Sequence, residues 1–169
     1  MNVYLTGMPG AGKSTVGKLI AKELGFGFLD LDEEIEKSEG RTIPDIFALH
    51  GETAFRDMES RALAGAAKAD GLVVATGGGC ILREANWEDM KKSGAVVFLD
   101  RPLKDILSDI ETAHRPLLKG GAEKLTGLYE QRIALYRSRC TAHAHASGDC
   151  ETAARAVLAE LQAQGVVSP

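Results

Sequence analysis

Gly7-Met8-Pro9-Gly10-Ala11-Gly12-Lys13-Ser14 has the spacing G-x-x-x-x-G-K-[ST]. It stands between an apolar stretch, Val3-Tyr4-Leu5, and a segment whose apolar residues Val16, Leu19, Ile20 and Leu24 recur at helical spacing. Strand, glycine-rich turn and helix in that order make a cradle for phosphate. Glycines let successive backbone N–H groups turn inward around phosphate oxygens, and the helix aims its positive end at the same anion. Lys13 is spaced to reach the β and γ phosphates, and the Ser14 hydroxyl to ligate magnesium. Gly10, Ala11, Gly12, Lys13, Ser14 and Thr15 are therefore the candidate phosphate-binding residues. Glycine-rich turns also join strands to helices in proteins that bind nothing, but here every part of the motif is in register. The implied ligand is a nucleoside triphosphate.

The rest of the chain fits a single domain spanning residues 1–169. That length is enough to bury most of the surface its unfolded form exposes. Hydrophobic residues at 44% and charged residues at 26% exclude disordered and fibrous classes. A net charge of −4 and a pI near 5.6 argue against a nucleic-acid surface, which is normally basic. No apolar run approaches the ~20 residues a bilayer span needs, and the first strand begins too early to leave room for a leader, so a cytoplasmic protein is expected. Cys80, Cys140 and Cys150 are odd in number and lack C-x-x-C spacing, which predicts free thiols in a reducing compartment.

Beyond the loop, Gly25 stops the first helix, and Phe28 to Asp32 reads as a second strand. Thr42 caps a short helix that Gly51 ends, and Phe55 to Ala66 carries a longer one. Leu72 to Ala75 and Ala95 to Leu99 are continuously apolar, as strands covered on both faces are. Helices follow at about 84–92, 103–110, 123–138 and 151–163, with a weak fifth strand at 141–146. This alternation predicts an α/β fold, a three-layer α/β/α sandwich on a mainly parallel sheet, with ligands gathered at the carboxyl ends of the strands.

At that edge stand Asp30 and Asp32, which share one face if both lie on the strand. One carboxylate suits magnesium and the other the hydroxyl that attacks phosphorus. The competing role for Asp32 is a helix cap. Arg56 has Glu59 one turn onward to hold its guanidinium, although helical arginines are often plain surface charges. Gly77-Gly78-Gly79 permits close approach to an anionic group, or simply makes a tight turn. Arg115, in the glycine-ended segment Arg115-Pro116-Leu117-Leu118-Lys119-Gly120-Gly121, suits a lid that closes over phosphate, with ordinary loop charge as the alternative. Arg137 ends a helix, where arginines also complement the dipole. His143 and His145 alternate as a metal pair would, but exposed strand histidines account for them, and no metal is assigned there.

Together these pieces resemble the shikimate kinase family, within the nucleoside monophosphate kinase-like group of P-loop proteins. The resemblance runs from Asn2 to about Arg139, and the ordered set carries it: the loop at 7–14, Asp30-Leu31-Asp32, Phe55-Arg56 with Glu59, the glycine triplet, Arg115-Pro116-Leu117-Leu118 and Tyr136-Arg137. It implies transfer of the γ-phosphoryl group of ATP to the 3-hydroxyl of shikimate, on the route to chorismate and aromatic amino acids. In that assignment Asp32 binds and orients the attacking hydroxyl, and Asp30 holds Mg²⁺ through water beside Ser14. Arg56 and Arg137 grip the shikimate carboxylate, a task for which the guanidinium fork is suited. Gly78 and Gly79 add backbone contacts, while Lys13 and Arg115 stabilise phosphate charge. The family also implies strand order 2-3-1-4-5, a substrate-binding segment at about 33–61 and a lid at about 111–122.

Two features depart from the family. Ser108 to His114 lacks the arginine that stacks on adenine, and the segment after His145 lacks the usual proline, so the adenine contacts are unassigned. A gluconate or nucleotide kinase on the same fold would not require the paired arginines and the triplet in this order. A guanine-nucleotide switch would need Asn-Lys-x-Asp, whereas the only asparagines are Asn2 and Asn86. A catalytically silent ATP-binding module is the remaining alternative. A monomer acting on small molecules is expected, with no nucleic-acid or membrane partner.

Overall fold

The structure, a computed structural model, describes residues 1–112 and 121–167. The strands are β1 (Asn2–Thr6), β2 (Gly27–Asp30), β3 (Leu72–Ala75), β4 (Gly94–Asp100) and β5 (Ala142–His145). All pair in parallel, in the order β2-β3-β1-β4-β5. The expected order is therefore the observed one. The helices are α1 (Lys13–Leu24), α2 (Leu31–Glu39), α3 (Ile43–Ala66), α4 (Glu84–Ser93), α5 (Leu103–Thr112), α6 (Gly121–Ser138) and α7 (Cys150–Ala163).

Alternation along β1 sends Val3 and Leu5 to one face and Tyr4 to the other. Val3 and Leu5 pack with Val16 and Ile20 of α1 and Val157 and Leu161 of α7. Tyr4 packs with Leu63 of α3, Met90 of α4, Ile106 of α5 and Tyr136 of α6. Two cores on opposite faces of one sheet are the three layers that continuously apolar strands require.

Three local details refine the sequence expectations. β2 stops at Asp30, because the Asp30 carboxylate accepts the Asp32 N–H at 3.0 Å and so caps α2, which starts at Leu31. The alternation argument for Asp30 and Asp32 does not apply, and the cap considered for Asp32 belongs to Asp30. α3 is broken at Gly51, whose φ of 80° and ψ of 175° leave the helical region at little steric cost for glycine. Thr42 caps that helix by accepting from Asp45 N–H at 3.3 Å. No helix among the described residues is long and apolar enough to cross a membrane.

Candidate active site

β1 ends at Thr6 in the middle of the sheet, so the chain leaving it emerges between β3 and β4 at their carboxyl edge. Gly12, at φ 89°, turns the backbone directly into α1, whose first N–H groups lack helical partners and face the loop. Lys13 folds back over this loop, donating to the carbonyls of Gly7 and Met8 at 2.9 Å each. Burial lowers its pKa to about 8, against the pull of the Asp32 and Asp30 charges. An ammonium held so dry interacts strongly with any anion that replaces those carbonyls. Ser14 Oγ donates to Asp30, so the hydroxyl and the capping carboxylate form one oxygen-rich corner.

A cleft of about 390 Å³ joins this cradle to the second half of the site, its wall running from Gly10, Lys13, Ser14 and Thr15 to Asp30, Asp32, Thr76 and Gly78. Burial, then the neighbouring Glu59 and Asp30 charges, raise the Asp32 pKa to about 6, with Lys13 opposing. Arg56 Nη1 donates to Glu59 at 2.8 Å, as the one-turn spacing predicts, and Nη2 meets Glu52 at 3.4 Å. Glu59 is fully buried, and burial raises its pKa despite Arg56. Three buried polar atoms here have no hydrogen-bond partner among the described residues: Asp32 Oδ1, Arg56 Nε and Glu59 Oε1.

The glycine triplet explains how these groups fit together. Cys80 N–H bonds to Gly77 C=O at 3.1 Å, so the triplet does make a tight turn. It is also a place of close approach. A Cβ on Gly77 would lie 2.5 Å from Glu59 Oε1 and 2.8 Å from Asp32 Oδ1, and one on Gly79 would overlap the Arg56 guanidinium. Tyr136 anchors the turn from above, its hydroxyl donating to Gly78 C=O. Arg137 follows on an exposed part of α6, with no ion pair among the described residues. Arg115 lies outside the described residues, as does most of the segment expected at 111–122.

Sequence reasoning missed two cations. Arg132 lies one turn before Tyr136, and its charge acts on Lys13, Glu59 and Tyr136. The i, i+4 spacing to Tyr136 was the available signal. Arg101 donates to Gly10 C=O at 3.0 Å and pairs with Asp109 of α5 at 2.6 Å, linking the phosphate loop to α5. It also borders a small cleft behind the loop with Ala146, Gly148 and Asp149, a part of the molecule to which no residue had been assigned.

A phosphate cradle at the centre of a 2-3-1-4-5 parallel sheet, opening onto a pocket of buried carboxylates and a guanidinium, defines a P-loop kinase of small molecules. The family model described as shikimate kinase matches residues 9–163. A shikimate kinase of Clostridium botulinum (strain Alaska E43) is 48% identical over 138 residues, 82% of this chain and 83% of that protein. Shikimate kinase from Acinetobacter baumannii, solved in complex with shikimate, superposes with a TM-score of 0.89 at 36% identity, covering 98% of this chain and 95% of that one. The enzyme from Aquifex aeolicus does so with a TM-score of 0.86 at 34% identity, covering 98% and 99%. This chain belongs to the shikimate kinase family and is an ATP-dependent kinase of that class.

Proposed function

We propose that the chain transfers the γ-phosphoryl group of ATP to the 3-hydroxyl of shikimate, giving shikimate 3-phosphate and ADP. The observation that carries the residue roles is the set of unpartnered buried atoms around the glycine turn, Asp32 Oδ1, Arg56 Nε and Glu59 Oε1, beside the phosphate cradle. Leaving such atoms unpaired costs roughly 1–3 kcal/mol each, which a polyhydroxylated carboxylate recovers by pairing with them. Asp32 accepts the hydrogen of the attacking hydroxyl. With a pKa of about 6 it is mostly ionised at neutral pH, yet basic enough to take the proton as the oxygen–phosphorus bond forms. Arg56 and Arg137 hold the carboxylate, each offering a planar pair of donors. Gly78 and Gly79 supply backbone contacts with no side chain in the way.

Lys13 and Arg115 neutralise charge on the transferring group, and Gly10, Ala11, Gly12, Ser14 and Thr15 cradle the polyphosphate. The Ser14 hydroxyl and the Asp30 carboxylate, already paired at the cradle, are the hard oxygen donors that suit Mg²⁺. When bound there, Mg²⁺ offsets phosphate charge. We further place the enzyme in the cytoplasm as a monomer of one domain, with a substrate-binding segment at about 33–61 and a lid at about 111–122.

ADP release followed by a coupled assay with shikimate, quinate, gluconate and nucleoside monophosphates tests the reading. Turnover should be confined to shikimate or exceed the others by orders of magnitude, and Asp32→Asn should lose most of kcat. Equal turnover of gluconate, or a wild-type kcat in Asp32→Asn, would overturn it.

A further inference from the structure

The last strand carries chemistry that the phosphoryl-transfer site does not use. In Ala142-His143-Ala144-His145, the two alanines are buried against α7 and pack with Val157 and Leu161, so alternation turns both histidines to the opposite face. Parallel pairing with β4 sets Asp100 directly across from His145 and two register positions beyond Phe98, the partner of His143. Phe98, also on this face, supports the His143 ring at a centroid distance of 5.1 Å. Asp100 Oδ2 lies 2.8 Å from His143 Nε2 and 4.0 Å from His145 Nδ1, and the three ligand atoms lie within 4.8 Å of one another. Asp100 is only 12% exposed while His145 is 80% exposed, so the cluster is rooted in the sheet and open to solvent on one side.

We propose that Asp100, His143 and His145 form a binding site for a divalent transition-metal ion, clamping the edge strand β5 to β4. Ligands held about 2.0–2.1 Å from a common ion stand roughly 3 Å from one another. The carboxylate and His143 are already at that spacing, and the exposed His145 ring needs only a small movement to join them. Two imidazole nitrogens and one carboxylate oxygen suit Zn²⁺, Ni²⁺ or Cu²⁺, whereas Mg²⁺ requires oxygen. The remaining positions open to water or a further ligand. The site is separate from the Ser14 and Asp30 corner. It lies immediately before Arg101, whose guanidinium holds the Gly10 carbonyl of the phosphate loop.

The test is calorimetric titration of Zn²⁺ into the full, chelator-stripped chain without a histidine tag or nucleotide, with the melting temperature as a second readout. One equivalent should bind, saturating amounts should raise Tm by linkage, and excess Mg²⁺ should not displace the ion. His145→Ala, at an exposed position that should fold normally, should weaken binding at least about tenfold and abolish the Tm rise, since even indirect partners of metal ligands cost that much. Asp100→Asn should act in the same direction. Binding unchanged in His145→Ala would remove His145 from the ligand set and place the ion elsewhere, and absence of binding would reduce the cluster to a His143–Asp100 hydrogen bond. Either result overturns the proposal.

Discussion

Arg56 and Glu59, one turn apart on α3, form an ion pair of 2.8 Å in which the carboxylate is wholly buried and the guanidinium nearly so. Removing one member of such a pair strands the other, so the pair acts as a unit. Glu59 also raises the Asp32 pKa, second only to burial. Glu59→Gln should therefore do two things. The acid limb of kcat/KM should move below its wild-type position near pH 6, and KM for shikimate should rise as Arg56 loses its brace. A pH profile with the limb unmoved would show that the Glu59 charge does not reach Asp32.

Asp32 also links stability to pH. Its folded pKa of about 6 exceeds the ordinary 3.8, so the native state holds this proton more tightly than the unfolded chain does. That contribution is fully present below about pH 3.8 and is lost as pH rises through about 6. Asp32→Asn, which cannot ionise, should be more stable than wild type at pH 7–8 by roughly 2–3 kcal/mol, the equivalent of about two pKa units, the advantage vanishing near pH 4. Urea unfolding of the nucleotide-free proteins at the two pH values measures it. A constant difference would contradict the linkage.

Gly79→Ala tests the close approach of the glycine turn. The backbone there is ordinary, with φ −95°, but a methyl group would overlap the Arg56 guanidinium. The expected result is a raised KM for shikimate with little change in KM for ATP, since the phosphate loop is untouched. Equal losses for both substrates would point to a disturbed fold instead.

Arg137→Lys keeps the charge and removes the planar fork. If Arg137 grips the carboxylate, KM for shikimate should rise about tenfold or more while kcat changes little, because two parallel hydrogen bonds become one. An unchanged KM would remove Arg137 from the carboxylate site.

Lys13→Ala should lower kcat by at least about 10²–10³-fold, the cost of deleting one preorganised charge-stabilising donor. The fold should survive, since among the described residues the lysine bonds only to the Gly7 and Met8 carbonyls of its own loop. Circular dichroism and Tm separate lost chemistry from lost structure.

The phosphate cradle and the succession of strands and helices are legible in the sequence because local rules govern them, whereas the strand order followed only from the family resemblance. Glycine spacing, helical and strand periods and a buried parallel sheet are written in consecutive residues. Even Arg56 with Glu59 was readable, being one turn apart. The β2 boundary was not, since Phe28-Leu29-Asp30-Leu31-Asp32 suits a strand until the Asp30 carboxylate takes the Asp32 N–H. Arg132 and Arg101 were missed because an arginine on a helix or after a strand is unremarkable until its surroundings are known.

By itself, the chain's order of residues determined an α/β architecture with a triphosphate loop and set out the candidate acids and arginines, to which the family resemblance added the kinase reading. Tertiary structure alone decided which of them meet: Asp32 and Glu59 facing each other across Gly77, and Asp100 opposite two histidines more than forty residues away. The reason is physical. Hydrogen bonding and side-chain period act over a few residues, whereas the pKa of a carboxylate or the ligand set of an ion depends on groups brought within a few ångströms by the packing of the whole sheet.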